Sequence, residues 1–291
     1  MTGPLADMSG RVCVVTGANR GIGRATAAGL ARLGADLVLV VRRREEGEAV
    51  ARDLPRASGA SEPDVVAADL SSQRAVRGAA EAIRARHPYV HVLINNAGTI
   101  PRKRETTVDG LEMQFAVNHL APFLLTNLLL DALKAAAPSR IVNVSSGAHQ
   151  GGSLDFGDLQ SERRYDPVRV YGRTKLANVL FTYELARRLR GTGVTANCLH
   201  PGVIATRLLA DYMNVPLVGG ALSRTLGATP EAGAETSIHV AASPEVEGVT
   251  GKYFVGRRET RSSPASYDEK AQQQLWDVSA RLTSLAGAAT P

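Results

Sequence analysis

Short β-branched apolar runs alternate with longer stretches in which apolar positions recur every three or four residues, and the alternation continues along most of the chain. The runs at 11–16, 36–41, 65–68, 92–95, 140–144, 194–199 and 252–255 read as seven strands. Helical stretches lie between them, among them 24–33, 111–137 and 168–190, and a last helix is expected at 268–283, outside the alternating pattern. Strands that alternate with helices predict an α/β fold built on a parallel sheet. Residues 55–64 read as a polar loop with two prolines, and 1–9 and 287–291 as frayed ends. No internal repeat interrupts the pattern.

A chain of 291 residues at 44% apolar composition can bury one large core, so a single domain over 1–291 is expected, with its core at about 10–255. The net charge of +6 and the basic clusters at 42–44, 102–104, 187–190 and 257–261 raise the question of nucleic acid. Those clusters are scattered over unrelated segments and aromatics make up 4% of residues, so solvated faces are expected and nucleic-acid binding is not. No apolar run approaches the ~18–20 residues that span a bilayer, and the N-terminus lacks a basic-then-apolar leader; a cytoplasmic protein without an integral membrane segment is expected.

Two local patterns carry chemistry. From Val12 to Gly23 an apolar run passes into three glycines and then a helical pattern, which reads as strand, tight turn and helix N-terminus. Gly17 allows the turn, Gly21 lets the backbone approach a pyrophosphate, and Gly23 lets helix and strand pack closely; exposed N–H groups and the helix dipole attract the anion. The second pattern is Tyr171-Gly-Arg-Thr-Lys175. On one helix the i and i+4 positions share a face, and an ammonium beside a phenol favours the phenolate, so the pair forms an acid/base unit.

Thr16-Gly-x-x-x-Gly-x-Gly23, Asn95-Asn-Ala-Gly98, Asn118, Ser146, Tyr171, Lys175 and Pro201-Gly202 together resemble the short-chain dehydrogenase/reductase family from about residue 10 to 255. The stretch Tyr171 to Leu189, with Asp158-Leu-Gln-Ser-Glu and Tyr165, is similar to the retinol dehydrogenase-like branch that includes the WW-domain oxidoreductases. The resemblance implies a Rossmann-type doubly wound sheet with helices on both faces. It also implies a catalytic tetrad in which Ser146 holds the substrate oxygen, Tyr171 moves the proton, Lys175 lowers its pKa and binds the nicotinamide ribose, and Asn118 supports a water relay. Ser146 is preferred to Ser145 by the resemblance; adjacent strand residues face opposite ways, and the sequence does not say which serine serves. The loop 147–166 should lie beside the substrate. His149 and His200 fall near the site, lack a second ligand at metal spacing, and read as hydrogen-bonding or packing residues; no metal is expected. Cys13 and Cys198, on strands that are not neighbours in the family's order, are expected to be free buried thiols in a reducing compartment.

Charge selects the dinucleotide. An acid at the end of the second strand accepts from the ribose hydroxyls of the unphosphorylated cofactor. Here that end is Val41, followed by Arg42, Arg43 and Arg44. Arg20 and Arg42 match the basic positions of relatives that use the phosphorylated form, and guanidinium suits phosphate, so NADP(H) is expected, with Arg43 or Arg44 able to replace Arg42 if the turn shifts. The resemblance further implies cofactor contacts from Asn19, Ile22, Asp69, Leu70, Asn96, Ala97, Gly98, Pro201, Gly202, Val203 and Thr206.

Residues 206–228, rich in leucine and valine, occupy the position of the family's substrate lid, which points to a hydrophobic carbonyl or alcohol, with reduction of a ketone or aldehyde the favoured direction. Many animal retinol dehydrogenases carry an N-terminal membrane segment, and its expected absence weakens the transfer of retinol as substrate. A specialised pathway reductase of ketones or imines and a non-catalytic NADP(H) sensor are the alternatives. A homodimer or homotetramer through 111–137 and 168–190 is a further expectation.

Overall fold

The computed structural model describes residues 5–55, 57, 61–202 and 229–285. Among the described residues eight strands form one sheet: β1 (Val12–Thr16), β2 (Asp36–Val41), β3 (Asp64–Ala67), β4 (Val92–Asn95), β5 (Ser139–Val144), β6 (Val194–His200), β7 (Tyr253–Val255) and β8 (Arg258–Glu259). Their order is β3-β2-β1-β4-β5-β6-β7-β8, and every pairing is parallel except β7 with β8. The order reverses at β1, where the chain has run outward through β2 and β3 and returns to place β4 on the other side. In sheets of this kind such a reversal marks the C-terminal ends of the two strands, here β1 and β4, as the usual ligand position.

Side chains alternate across the sheet. Val14, Val38 and Val40 face one core layer, with Phe123, Leu124, Leu129, Phe181 and Trp276, while Cys13, Val15, Leu37, Leu39 and Val41 face the other, with Leu30, Val50 and Val240. Helices α3 (Gln73–Arg86), α5 (Ala121–Ala135), α6 (Pro167–Arg188) and α8 (Glu269–Leu282) supply the first layer; α1 (Gly21–Arg32), α2 (Arg44–Asp53) and α7 (Pro230–Ala242) supply the second. Cys13 and Cys198 are free and buried on β1 and β6, and burial pushes both thiols up, Cys13 to about 12.

Four features depart from the sequence reading. The eighth strand is made by a two-residue hairpin in which Gly256 and Arg257 both have positive φ, 54° and 67°. Arginine is an uncommon residue for that conformation, so the turn carried no sequence signal. The helix expected at 111–137 is compound: one turn, α4 (Met113–Phe115), then a π-turn (Ala116–Leu120), then α5. Contrary to the expectation of no membrane-length run, the stretch Met113–Ala135 is long and apolar enough to cross a bilayer. Its window is 72% buried, with Phe115, Phe123, Leu124, Leu125, Leu129 and Leu133 packed out of solvent, so the core accounts for its apolarity. The C-terminal helix, finally, is part of the core: Trp276 lies 5.0 Å from Phe123 and 4.2 Å from the Arg188 guanidinium carbon, and Leu275 is buried.

Candidate active site

The C-terminal ends of β1, β4, β5 and β6 deliver the predicted residues to one edge of the sheet. At β1 the hydroxyl of Thr16 accepts from the Asn96 and Ala97 N–H groups, at 2.9 and 3.1 Å, while the Asn96 amide donates to the Thr16 and Gly17 carbonyls, at 2.8 and 3.4 Å. The Asn95-Asn-Ala-Gly98 segment thus fastens the glycine turn to β4. Gly17 and Gly21 have φ of 67° and 54°. A Cβ on Gly23 would stand 2.3 Å from the Gly17 carbonyl oxygen, the close helix-to-strand packing that the third glycine was expected to permit. Helix α1 starts with no side-chain cap and no acid in its first turn, so among the described residues its N-cap side chain leaves its leading N–H groups uncapped. That arrangement fits a pyrophosphate.

Beyond the turn, Arg42 and Arg20 are exposed, and among the described residues neither guanidinium has a hydrogen-bond or ion-pair partner. Arg43 is ion-paired with Glu46, and Arg44 pairs with Glu48 at 3.8 Å and donates to the Val65 carbonyl at 3.3 Å. Arg43 and Arg44 are thus engaged elsewhere, leaving Arg42 as the available cation of the three. Glu46, which sequence reasoning missed, also accepts from the Asn19 amide at 2.8 Å. Asp69 is exposed with one carboxylate oxygen accepting from the Ser71 N–H at 2.9 Å, whereas Leu70 packs on the core.

On α6, Tyr171 and Lys175 share a face, with the ammonium 5.4 Å from the phenol ring centre. Lys175 is 3% exposed, donates to the Val144 carbonyl at 3.0 Å, and burial drops its pKa to about 8. The two serines separate cleanly. Ser145 is buried and its hydroxyl donates to the Lys175 carbonyl at 2.8 Å, tying β5 to α6. Ser146 is half-buried, and its Oγ accepts from the Ala148 N–H at 3.2 Å, which leaves its proton available to a ligand. Of the two hydroxyls, Ser145's is thus engaged in holding β5 to α6, and Ser146's is not so engaged among the described residues.

Asn118 sits in the π-turn, a local widening common at functional sites. Its side chain is spent: Oδ1 accepts from the Thr99 N–H at 2.8 Å, and Nδ2 donates to the Thr99 carbonyl and the Thr174 hydroxyl, at 3.0 and 3.1 Å. Its main-chain carbonyl accepts from the Asn178 amide at 2.9 Å. Next to it, His119 bonds Ser279 of α8 at 2.8 Å, and burial drops its pKa to about 4, so it is neutral. A Cβ on Gly98 would lie 3.7 Å from Lys175 Nζ and 3.5 Å from Asn118 Oδ1, so these two side chains border the space that glycine leaves open. Pro201 and Gly202, the latter with φ of 94°, follow β6; Val203, Thr206 and the lid at 206–228 lie outside the described residues.

The loop 147–166 is bound to the segment after β4: the Tyr165 hydroxyl donates to the Pro101 carbonyl at 2.7 Å, and Arg104 donates to the Gln160 carbonyl at 3.0 Å. Among the described residues no cluster of histidine, cysteine and acid groups could hold a metal.

The short chain dehydrogenase family profile matches residues 11–214. Human retinol dehydrogenase 14 is 46% identical over 96% of this chain and 88% of its own length. Among solved structures, an uncharacterised protein from Mycobacterium paratuberculosis is 34% identical with a TM-score of 0.79, covering 96% of both chains. Pseudomonas aeruginosa RhlG in complex with NADP is 27% identical with a TM-score of 0.69, covering 87% of this chain and 97% of its own. Brucella melitensis 3-ketoacyl-(acyl-carrier-protein) reductase in complex with NADH is 25% identical with a TM-score of 0.64, covering 85% of this chain and 96% of its own.

Proposed function

The chain belongs to the short-chain dehydrogenase family and is an oxidoreductase related to the retinol dehydrogenases, and on that premise we propose that it is an NADP(H)-dependent reductase of hydrophobic ketones or aldehydes. The observation that carries the reading is that Lys175, with Tyr171 against it, reaches the Val144 carbonyl at the end of β5, two residues before Ser146, in a sheet whose β1 leads into a glycine turn and a helix N-terminus without a side-chain cap. NADP(H) supplies or accepts the hydride when bound. Gly17, Gly21, Ile22 and Gly23 would hold its pyrophosphate, and Arg20 and Arg42 its 2′-phosphate. That neither arginine has a partner among the described residues supports the phosphorylated form; Glu46 opposes it and is offset by Arg43.

In the reductive direction Ser146 and Tyr171 donate to the carbonyl oxygen and stabilise the alkoxide as it develops, and the phenol proton passes to that oxygen. Lys175, kept dry by its surroundings, then faces a phenolate that its ammonium stabilises. Its burial makes that interaction stronger than it would be in water. The names of the curated relatives favour a long apolar alcohol or aldehyde as the reacting molecule.

The test is NADPH oxidation against a panel of hydrophobic aldehydes and ketones, retinaldehyde included, with NADH and Tyr171→Phe as controls. Turnover that disappears in Tyr171→Phe supports the reading. Equal or better efficiency with NADH removes the arginine argument, and NADPH binding without turnover of any carbonyl moves the reading to an imine, a pathway-specific ketone or a sensor.

A further inference from the structure

The peptide group joining Ser146 to Gly147 is held from both sides by histidines. Its carbonyl accepts from His149 Nδ1 at 2.7 Å, and its N–H donates to His200 Nδ1 at 3.1 Å. The two rings come from different places, His149 from the turn after β5 and His200 from the end of β6.

Each ring has its tautomer set by a neighbour. The Ser263 N–H donates to His149 Nε2 at 3.0 Å, so that nitrogen is an acceptor and the single proton of the neutral ring sits on Nδ1, where the Ser146 carbonyl needs it. Tyr253 packs against the same ring, centroids 4.8 Å apart, with its hydroxyl 3.3 Å from Nδ1. His200 accepts through Nδ1, which puts its proton on Nε2. Burial lowers the pKa of both, against the opposing bond to the Ser146 carbonyl at His149, and the neighbouring His149 lowers that of His200 further. Both are therefore neutral, the state in which one can donate through Nδ1 while the other accepts through it.

We infer that His149 and His200 are positioning residues for Ser146, clamping the peptide plane that follows it and thereby fixing the backbone frame from which its hydroxyl reaches the substrate oxygen. Among the described residues Ser146 Oγ has one hydrogen bond, from the Ala148 N–H, so its aim follows from the backbone that carries it. A Cβ on Gly147 would stand 3.3 Å from His200 Nε2, so glycine at 147 lets the ring close on the peptide. The inference rests on the reading of Ser146 as the hydroxyl that holds the carbonyl.

The test compares His200→Leu, which removes the acceptor, with His200→Asn, whose Oδ1 falls near the place of Nδ1. For each, kcat, KM, the melting temperature and the NADPH Kd are measured. His200→Leu should lower kcat on the order of ten- to a hundredfold, the scale of a misaimed reacting group, with NADPH Kd unchanged, and His200→Asn should recover most of the loss. An unchanged kcat in His200→Leu overturns the inference, as does an equal loss in both variants or a loss that tracks NADPH affinity. Wild-type turnover that survives Tyr171→Phe would instead sink the reading of the site. Nitrogen-15 spectra of the imidazoles probe the clamp without any substrate: Nδ1–H on His149 and Nε2–H on His200 support it, and the opposite tautomer on either ring refutes it.

Discussion

Replacing Lys175 with methionine should make the apo protein more stable while destroying its activity. Lys175 is 3% exposed, and burial brings its pKa from 10.5 to about 8. The unfolded chain therefore binds more protons than the folded one between pH 8 and 10.5, and stability rises with pH across that window. Below pH 8 the folded state bears the full cost of a buried ammonium: a gap of about 2.5 pH units at ~1.36 kcal/mol each is on the order of 3 kcal/mol. Methionine keeps the length and loses the charge, but forfeits the hydrogen bond to the Val144 carbonyl, worth about 1 kcal/mol. The net gain is about 2 kcal/mol at pH 7, which for a domain of this size raises Tm by roughly 4–8 °C. The assay is thermal unfolding of both proteins without dinucleotide from pH 7 to 10.5. The advantage of Lys175→Met should be largest at pH 7 and shrink as the pH climbs, while its kcat falls by roughly 10²–10⁴-fold. A variant that melts below wild type at pH 7, or a difference that does not change with pH, would refute the reasoning.

Three further outcomes are expected. Ser146→Ala should lower kcat by roughly 10²–10³-fold, the effect of removing one donor to a developing oxyanion; Ser145→Ala should keep most of the activity and lose about 1–2 kcal/mol in denaturant unfolding, through its buried bond to the Lys175 carbonyl. Arg42→Asp should move the kcat/KM preference from NADPH toward NADH, because a carboxylate there repels a phosphate and accepts from ribose hydroxyls; an unchanged ratio would remove Arg42 from the binding site. Trp276→Ala should destabilise by about 3–5 kcal/mol, since the ring fills the layer between Phe123, Phe181 and Arg188, and calorimetry would read the loss directly.

What the sequence disclosed was local. The glycine turn, the strand before it and the i to i+4 spacing of Tyr171 and Lys175 need only a few neighbouring residues, and the structure realises each of them. The choice between Ser145 and Ser146 was hidden because it depends on which hydroxyl α6 captures, thirty residues further on. Glu46 was missed for the same reason: its link to Asn19 joins positions 27 apart. The π-turn leaves the apolar content of its helix intact and so hides in a pattern read at 3.6 residues per turn. The histidine clamp is legible as two histidines near a serine, but the atoms they bind belong to the backbone, on which sequence pattern is silent.

The way the C-terminal segment reaches back into the site also sets a timetable. Asn118 depends on the turn that His119 fastens to Ser279, and Ser146 on a ring that Ser263 orients. During synthesis Lys175 leaves the ribosome roughly a hundred residues before Trp276, which at ~5–20 residues per second is a wait on the order of 5–20 s. For that interval Asn118 and Ser146 exist without the C-terminal residues that hold His119 and His149. Until the last of the described helices docks, a half-made copy lacks the bonds through which Ser279 and Ser263 hold His119 and His149.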